Sequence, residues 1–187
     1  MEDLLILVDE NDNEIGHGEK METHITGRLH RAFSLFVFDK NSKTMLIHQR
    51  AMGKYHSGGL WTNSCCSHPR KGEALQEAVM RRAYEELGME ITRENRLAAR
   101  LTEVGSFQYS ADFGDISEHE IDHVFVLETD SQVELHPDPE EMMDFMWIKP
   151  SHLTEWMLRE PGSFTAWFPL ALSIVKESII GKKYFDE

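Results

Sequence analysis

The chain has 187 residues, 41% of them hydrophobic and 28% charged, with 19 Lys and Arg against 33 Asp and Glu and a net charge of −14. A domain of this size holds a core without disulfide or zinc staples, and the acidic excess excludes the broad basic surface that grips nucleic-acid phosphates. No apolar run reaches the roughly 18–20 residues of a membrane-spanning helix, and the acidic start MEDLLILVDE lacks the basic region of a signal peptide, so a cytoplasmic location is expected.

In chain order, residues 4–8 and 14–20 flank a polar turn and predict an N-terminal hairpin, and residues 32–38 and 45–50 predict a second. A strand over 59–67 runs into His68-Pro69. From Glu73 to Leu87 the apolar residues Leu75, Ala78, Val79, Ala83 and Leu87 recur at helical steps, and Gly88 follows as a stop. Residues 101–110, 120–128 and 142–150 read as strands, and 151–158 and 163–180 as two closing helices. Strands enclosing one helix, with helices at the end, predict an α/β sandwich.

The two cysteines, Cys65 and Cys66, are adjacent, and a Cα separation of about 3.8 Å is too short for an ordinary disulfide. They are free thiols of a reducing compartment. In the extended chain before Pro69, Cys66 and His68 share a face and Cys65 points the other way; Cys65 reads as a small buried hydrophobe and Cys66 as a chemical group. Glu118 and Glu120, two apart, also share a face. Such a pair ordinarily meets solvent, and aimed together it can instead bind a metal. His24 and His30 are spaced for a loop entering the strand at 32, and the other histidines apart from His68 read as surface or satisfied core.

The segment from Gly72 to Gly88 resembles the Nudix box, whose carboxylates hold a divalent ion on a diphosphate. Glu73, Arg81, Glu85, Glu86 and Gly88 match it, but Ser67 stands where the box begins with Gly, and Arg82 stands where a glutamate belongs. That loss weakens a diphosphohydrolase reading and offers a phosphate a guanidinium fork instead.

Together, His24…Arg28-Leu29-His30-Arg31-Ala32-Phe33-Ser34, Trp61 to Pro69, Arg81 to Gly88, Glu118-His119-Glu120 and Ser163 to Trp167 resemble the type I isopentenyl-diphosphate isomerase family, in order and over nearly the whole chain. The resemblance implies a Nudix-like α/β/α sandwich with a mixed sheet and an N-terminal hairpin, one domain over 1–187. It implies a metal site of His24, His30, His68, Glu118 and Glu120 for Mn²⁺, Mg²⁺ or Zn²⁺, and a second Mg²⁺ at Glu86 arriving with the substrate. Cys66, Glu120 and Tyr109 are implied as catalytic, with Glu120 and Tyr109 protonating the alkene and Cys66 deprotonating it as dimethylallyl diphosphate forms. Lys20, Arg50, Lys54 and Arg82 are implied to hold the diphosphate, and Trp167 to face the carbocation with its π system. Departures are Cys65, where a small apolar residue is usual, Ser67, where glycine is usual, and a His24–His30 spacing one residue tighter than in some members. The partner is a small diphosphate, with no nucleic acid and no membrane; the oligomeric state is open and a monomer suffices. Two other classes compete: a Nudix diphosphohydrolase using Glu73, Glu85 and Glu86, and a binding module that keeps the metal site without catalysis.

Overall fold

The computed structural model describes residues 4–186, so the first three residues of the acidic start lie outside it. Extended runs whose successive residues face opposite sides of the sheet make β1 (Leu4–Val8), β2 (Glu14–Glu19), β3 (His30–Asp39), β4 (Thr44–Arg50), β7 (Leu101–Asp112), β8 (Ser117–Thr129) and β9 (Met142–Ile148). The short β5 (Trp61–Thr62) and β6 (Cys65–Ser67) complete one mixed sheet.

β3 is its axis. It runs parallel to β8, pairing His30 with Glu120 through Asp39 with Thr129. Its other edge is shared by β1 at His30, β6 at Phe33–Leu35 and β4 at Val37–Asp39, all antiparallel. Odd and even residues of β3 serve different cores. Phe33, Leu35 and Val37 pack beneath Ala78, Val79, Ala83 and Leu87 of α2 (Leu75–Leu87). Phe36 and Phe38 pack beneath Phe168, Leu172 and Val175 of α4 (Phe168–Glu177), with α3 (Pro150–Arg159) and α5 (Ile179–Phe185) beside it. Helices on both faces of a mixed sheet give the expected α/β/α sandwich, and the β1–β2 hairpin forms as expected.

Three expectations need correction. The single strand over 59–67 is two strands, because the chain crosses there from β4 to β3. Ser64 fills the opening: its hydroxyl donates to the Leu46 carbonyl at 2.7 Å and accepts from Val37 N–H at 2.9 Å. Asn63 donates to the carbonyls of Leu35 and Cys65, so side chains replace a backbone ladder. The helix over 163–180 begins only at Phe168, with Pro169 in its first turn, and breaks at Ser178, whose hydroxyl caps α5 by accepting from Gly181 N–H. Gly181 is required there, since a Cβ would lie 1.8 Å from the Val175 carbonyl oxygen. Finally, the loop expected before β3 contains a helical turn, α1 (Lys20–Ile25), capped by the Glu19 carboxylate on Glu22 N–H.

His48 on β4 is buried, and its Nδ1–H donates to the Ser64 carbonyl at 3.1 Å. Burial first, then Arg50, pushes its pKa down to about 4. Between pH 6.5 and 4 the unfolded chain therefore binds the proton and the fold does not, so stability falls on acidification, by about 3 kcal/mol at this one site. The gap between urea midpoints at pH 7 and 4.5 is expected to narrow when His48→Asn keeps the donor and removes this titration.

Candidate active site and metal centre

Two strand periodicities and one helical turn build the metal cluster. On β8, Glu118 and Glu120 share a face across from His30 at the start of β3. α1 brings His24 inward one turn after Lys20, and His68 follows β6. One ligand atom from each of His24, His30, His68, Glu118 and Glu120 lies within 4.8 Å of the others, and all five residues are buried. Glutamates that would ordinarily be solvent-facing on a strand are here 3% and 5% exposed.

The hydrogen bonds around the cluster test whether it fits an ion. His24 Nδ1 donates to the Lys20 carbonyl at 2.6 Å and His30 Nδ1 to the Arg28 carbonyl at 2.8 Å. In the neutral rings each Nε2 is then a lone pair aimed inward, and both atoms, with Glu118 Oε2, are buried without a hydrogen-bond partner. Unpaired acceptors at such separations repel unless a cation lies among them. Three nitrogens and two carboxylates suit a divalent ion such as Mn²⁺, Mg²⁺ or five-coordinate Zn²⁺. Burial, with His30 and Lys20 next, pushes His68 well below the ordinary imidazole range and keeps it in the neutral, ligating form. Burial pulls His24 down as well, but the Glu118 carboxylate outweighs it and raises the ring. Burial alone would raise Glu120; hydrogen bonding and charge from His30, with help from Tyr109, hold it at about 2.

Beside the cluster lies a pocket lined by Cys66, Tyr109, Glu120, Asp122, His56 and Trp167, among others. Cys66 faces this cavity whereas Cys65 is sealed in the α2 core, as the alternation of extended chain requires. Tyr109 sits opposite Glu120 in the β7–β8 ladder and donates its hydroxyl to that carboxylate. Burial, then Glu120, holds the phenol well above its usual range. Burial also pushes the Cys66 thiol up to about 12, against the opposing pull of Arg50, whose Nη1 lies 3.9 Å from Sγ. Trp167 stands just before α4 and not within a helix; its Nε1–H donates to Asn63 Oδ1 at 3.3 Å, and the Arg50 guanidinium lies 5.3 Å from its ring centroid.

The other basic residues gather elsewhere. Lys54 donates to Glu141 at 2.6 Å and Arg82 to the same carboxylate at 3.1 Å. Burial, then Lys54 and Arg82, lowers the Lys20 ammonium, so the three cations share one neighbourhood. Arg50 is set by Cys66 and Trp167 instead. Glu86 is buried and bound by Arg82 Nε at 2.8 Å; burial raises its carboxyl above the ordinary range. Glu73 takes both Nε and Nη2 of Arg81, at 2.7 and 2.9 Å, and also accepts from Arg70 N–H, locking the loop before α2 to the helix. Glu85 is held by Arg81 and Arg82 at 3.0 and 2.9 Å.

Several residues of the site escaped the sequence reading. Asp122 continues the face of Glu118 and Glu120, accepts from Ser34 Oγ at 2.8 Å and lines the cavity; burial, then Glu120, raises its carboxyl well above the usual range. The two-residue step along β8 was the signal that could have found it. His56 and Tyr55 come from the irregular segment between β4 and β5, and Glu141 from the turn before β9, where no periodicity points at them.

A family profile described as NUDIX domain matches residues 28–168. A Burkholderia multivorans protein named isopentenyl-diphosphate Delta-isomerase is 48% identical over 169 residues, 90% of either chain. A Serratia proteamaculans protein of the same name is 45% identical over 178 residues, 95% of this chain and 92% of its own. Among solved structures, the Deinococcus radiodurans protein DR0079 superposes with a TM-score of 0.68 at 23% identity, over 91% of this chain and 96% of its own, a likeness of fold alone. Carrying a NUDIX domain over most of its length and this identity to named isomerases over 90–95% of its residues, the chain belongs to the isopentenyl-diphosphate Delta-isomerase family.

Proposed function

We propose that the chain, acting as one domain, interconverts isopentenyl and dimethylallyl diphosphate and so supplies isoprenoid biosynthesis. The observation that carries this reading is the meeting of Cys66 with the Glu120–Tyr109 pair around one pocket beside the His/Glu cluster. The reaction adds a proton to the terminal alkene carbon, leaves a tertiary cation, and removes a proton from the carbon on the diphosphate side. It therefore needs two proton-transfer groups facing across a five-carbon unit. Cys66 on β6 and Glu120 on β8 flank β3, paired with Ser34 and His30, and because those two β3 residues share a face, both side chains turn to the same side of the sheet.

In dimethylallyl diphosphate formation Glu120, backed by the proton that Tyr109 holds against it, protonates the alkene, and Cys66 takes the proton lost. Cys66 accepts as thiolate, the form Arg50 favours. The resting thiol and carboxylate are the protonation states this step leaves behind: they are ready for the reverse direction, and another forward turnover requires one proton from solvent on Glu120 and the loss of one from Cys66. Trp167 lines the pocket, and its ring offers the cation a π face worth about 2 kcal/mol when desolvated. A divalent ion held by His24, His30, His68, Glu118 and Glu120 would supply positive charge that orients Glu120 and polarises its proton. Lys20, Lys54 and Arg82 hold the diphosphate, with Glu86 the ligand for a Mg²⁺ that comes with it. Arg50 serves Cys66 and Trp167 more directly than the diphosphate. Two free thiols suit the reducing cytoplasm.

A diphosphohydrolase is disfavoured by one specific feature: Arg82 stands where the Nudix box carries a further glutamate. Phosphorus NMR of isopentenyl diphosphate incubated with the protein, Mg²⁺ and Mn²⁺ separates the two activities. Intact diphosphate signals while the alkene converts are expected; release of phosphate with no allylic product would give the site to hydrolysis.

A further inference from the structure

We propose that His56 is a positioning residue of the metal centre: through its hydrogen bond to Glu118 it fixes that carboxylate for ion binding and latches the segment carrying Lys54 over the cavity. The proposal rests on the metal-centre reading above. The two oxygens of Glu118 have different surroundings. Oε2 faces His24 Nε2 at 3.2 Å and His30 Nε2 at 3.9 Å, whereas Oε1 accepts from His56 Nε2 at 2.5 Å. The last torsion of a glutamate is broad and nearly two-fold, so nothing intrinsic to the side chain keeps one oxygen turned to the ion. Both residues are buried, at 3% and 8% exposure, and the bond is sheltered from water.

The His56 ring is itself held on several sides. Ser57 Oγ lies 3.0 Å from Nδ1, and its hydroxyl can donate there, leaving the proton on Nε2 for Glu118. Phe113 stacks on the ring at 4.5 Å, Trp167 meets it edge-on at 5.7 Å, and the His56 carbonyl accepts from Arg50 Nη2 at 3.3 Å. Lys54 and Tyr55 immediately precede it. Tyr55 lies against His24 at 5.6 Å with the Lys20 ammonium over its ring, so a single short segment touches the metal centre, the ring proposed to face the cation and the diphosphate grip. Outer-shell partners of this kind change metal affinity by about 10–100-fold.

The test is Mn²⁺ binding to the substrate-free protein, read from the electron paramagnetic resonance signal of free Mn²⁺, with melting temperature as the control for folding. His56→Phe keeps the stacking and removes the donor; its affinity is expected to fall by about 10–100-fold. His56→Gln places an amide N–H where Nε2 was and is expected to recover most of the loss. If the Phe variant does not fold, His56→Asn, too short to reach Glu118, carries the same expectation. Wild-type affinity in a folded donor-less variant, or a Gln variant as weak as Phe, would overturn the proposal. Absence of a stoichiometric site in the wild type would overturn it together with the metal centre, whereas isomerase activity is judged separately by product analysis.

Discussion

Cys66→Ala is expected to lower turnover of isopentenyl diphosphate by about 10²–10⁴-fold, the usual contribution of a positioned proton-transfer group, with the melting temperature nearly unchanged. The thiol lines the pocket, and its removal enlarges an existing space without opening a hole in the packed core. No other described cysteine can replace it, because Cys65 lies on the other face of the sheet within the α2 core. Chemical modification gives an orthogonal reading. Alkylation is expected at Cys66 alone, and substrate is expected to protect it. Burial holds this thiol near 12, so the labelling rate should climb roughly tenfold per pH unit between 7 and 10 without levelling. A plateau near pH 7, or full activity in the labelled protein, would contradict the role assigned to Cys66.

Glu120→Gln is expected to be at least as damaging, because it strikes twice. The variant loses a carboxylate from the five-residue cluster and the ionisable group that carries the proton beside Tyr109. Mn²⁺ affinity should fall by more than the roughly 10–100-fold that follows loss of an outer-shell partner, and turnover should stay depressed when Mn²⁺ is raised to saturation. Tyr109→Phe separates the two roles. It should leave ion binding close to wild type and lower kcat, since the hydroxyl donates to Glu120 and is not among the ligand atoms. Isothermal titration with Mn²⁺, beside steady-state kinetics at saturating ion, reads both. Full recovery of the Gln variant by excess ion would reduce Glu120 to a ligand only.

The sequence was most informative where one local rule sufficed. Alternation in extended chain put Cys65 and Cys66 on opposite faces and Glu118 and Glu120 on the same face, and helical steps placed α2. Family resemblance supplied the long-range grouping of His24, His30 and His68, which no spacing shows, because α1, β3 and β6 meet only through the sheet. Local rules failed where tertiary contacts override them. Asn63 and Ser64 break a strand because their side chains serve β3 and β4 at once. Ser178 splits an amphipathic helix because its hydroxyl caps the next one. Lys54 and Lys20 read as surface solubilisers in the bare chain, yet Glu141 and Tyr55 draw them into a half-buried group of cations. His56 lies in an irregular segment with no period at all, and only the fold brings it to Glu118.

Proton NMR of isopentenyl diphosphate in D₂O with Mg²⁺ and Mn²⁺, run in parallel on wild type and Cys66→Ala, tests the central claim most directly. The account predicts deuterium in the new methyl group of dimethylallyl diphosphate with wild type, and no allylic product with the variant. Allylic product formed at an undiminished rate by Cys66→Ala, or an alkene left unchanged by the wild type, would contradict it.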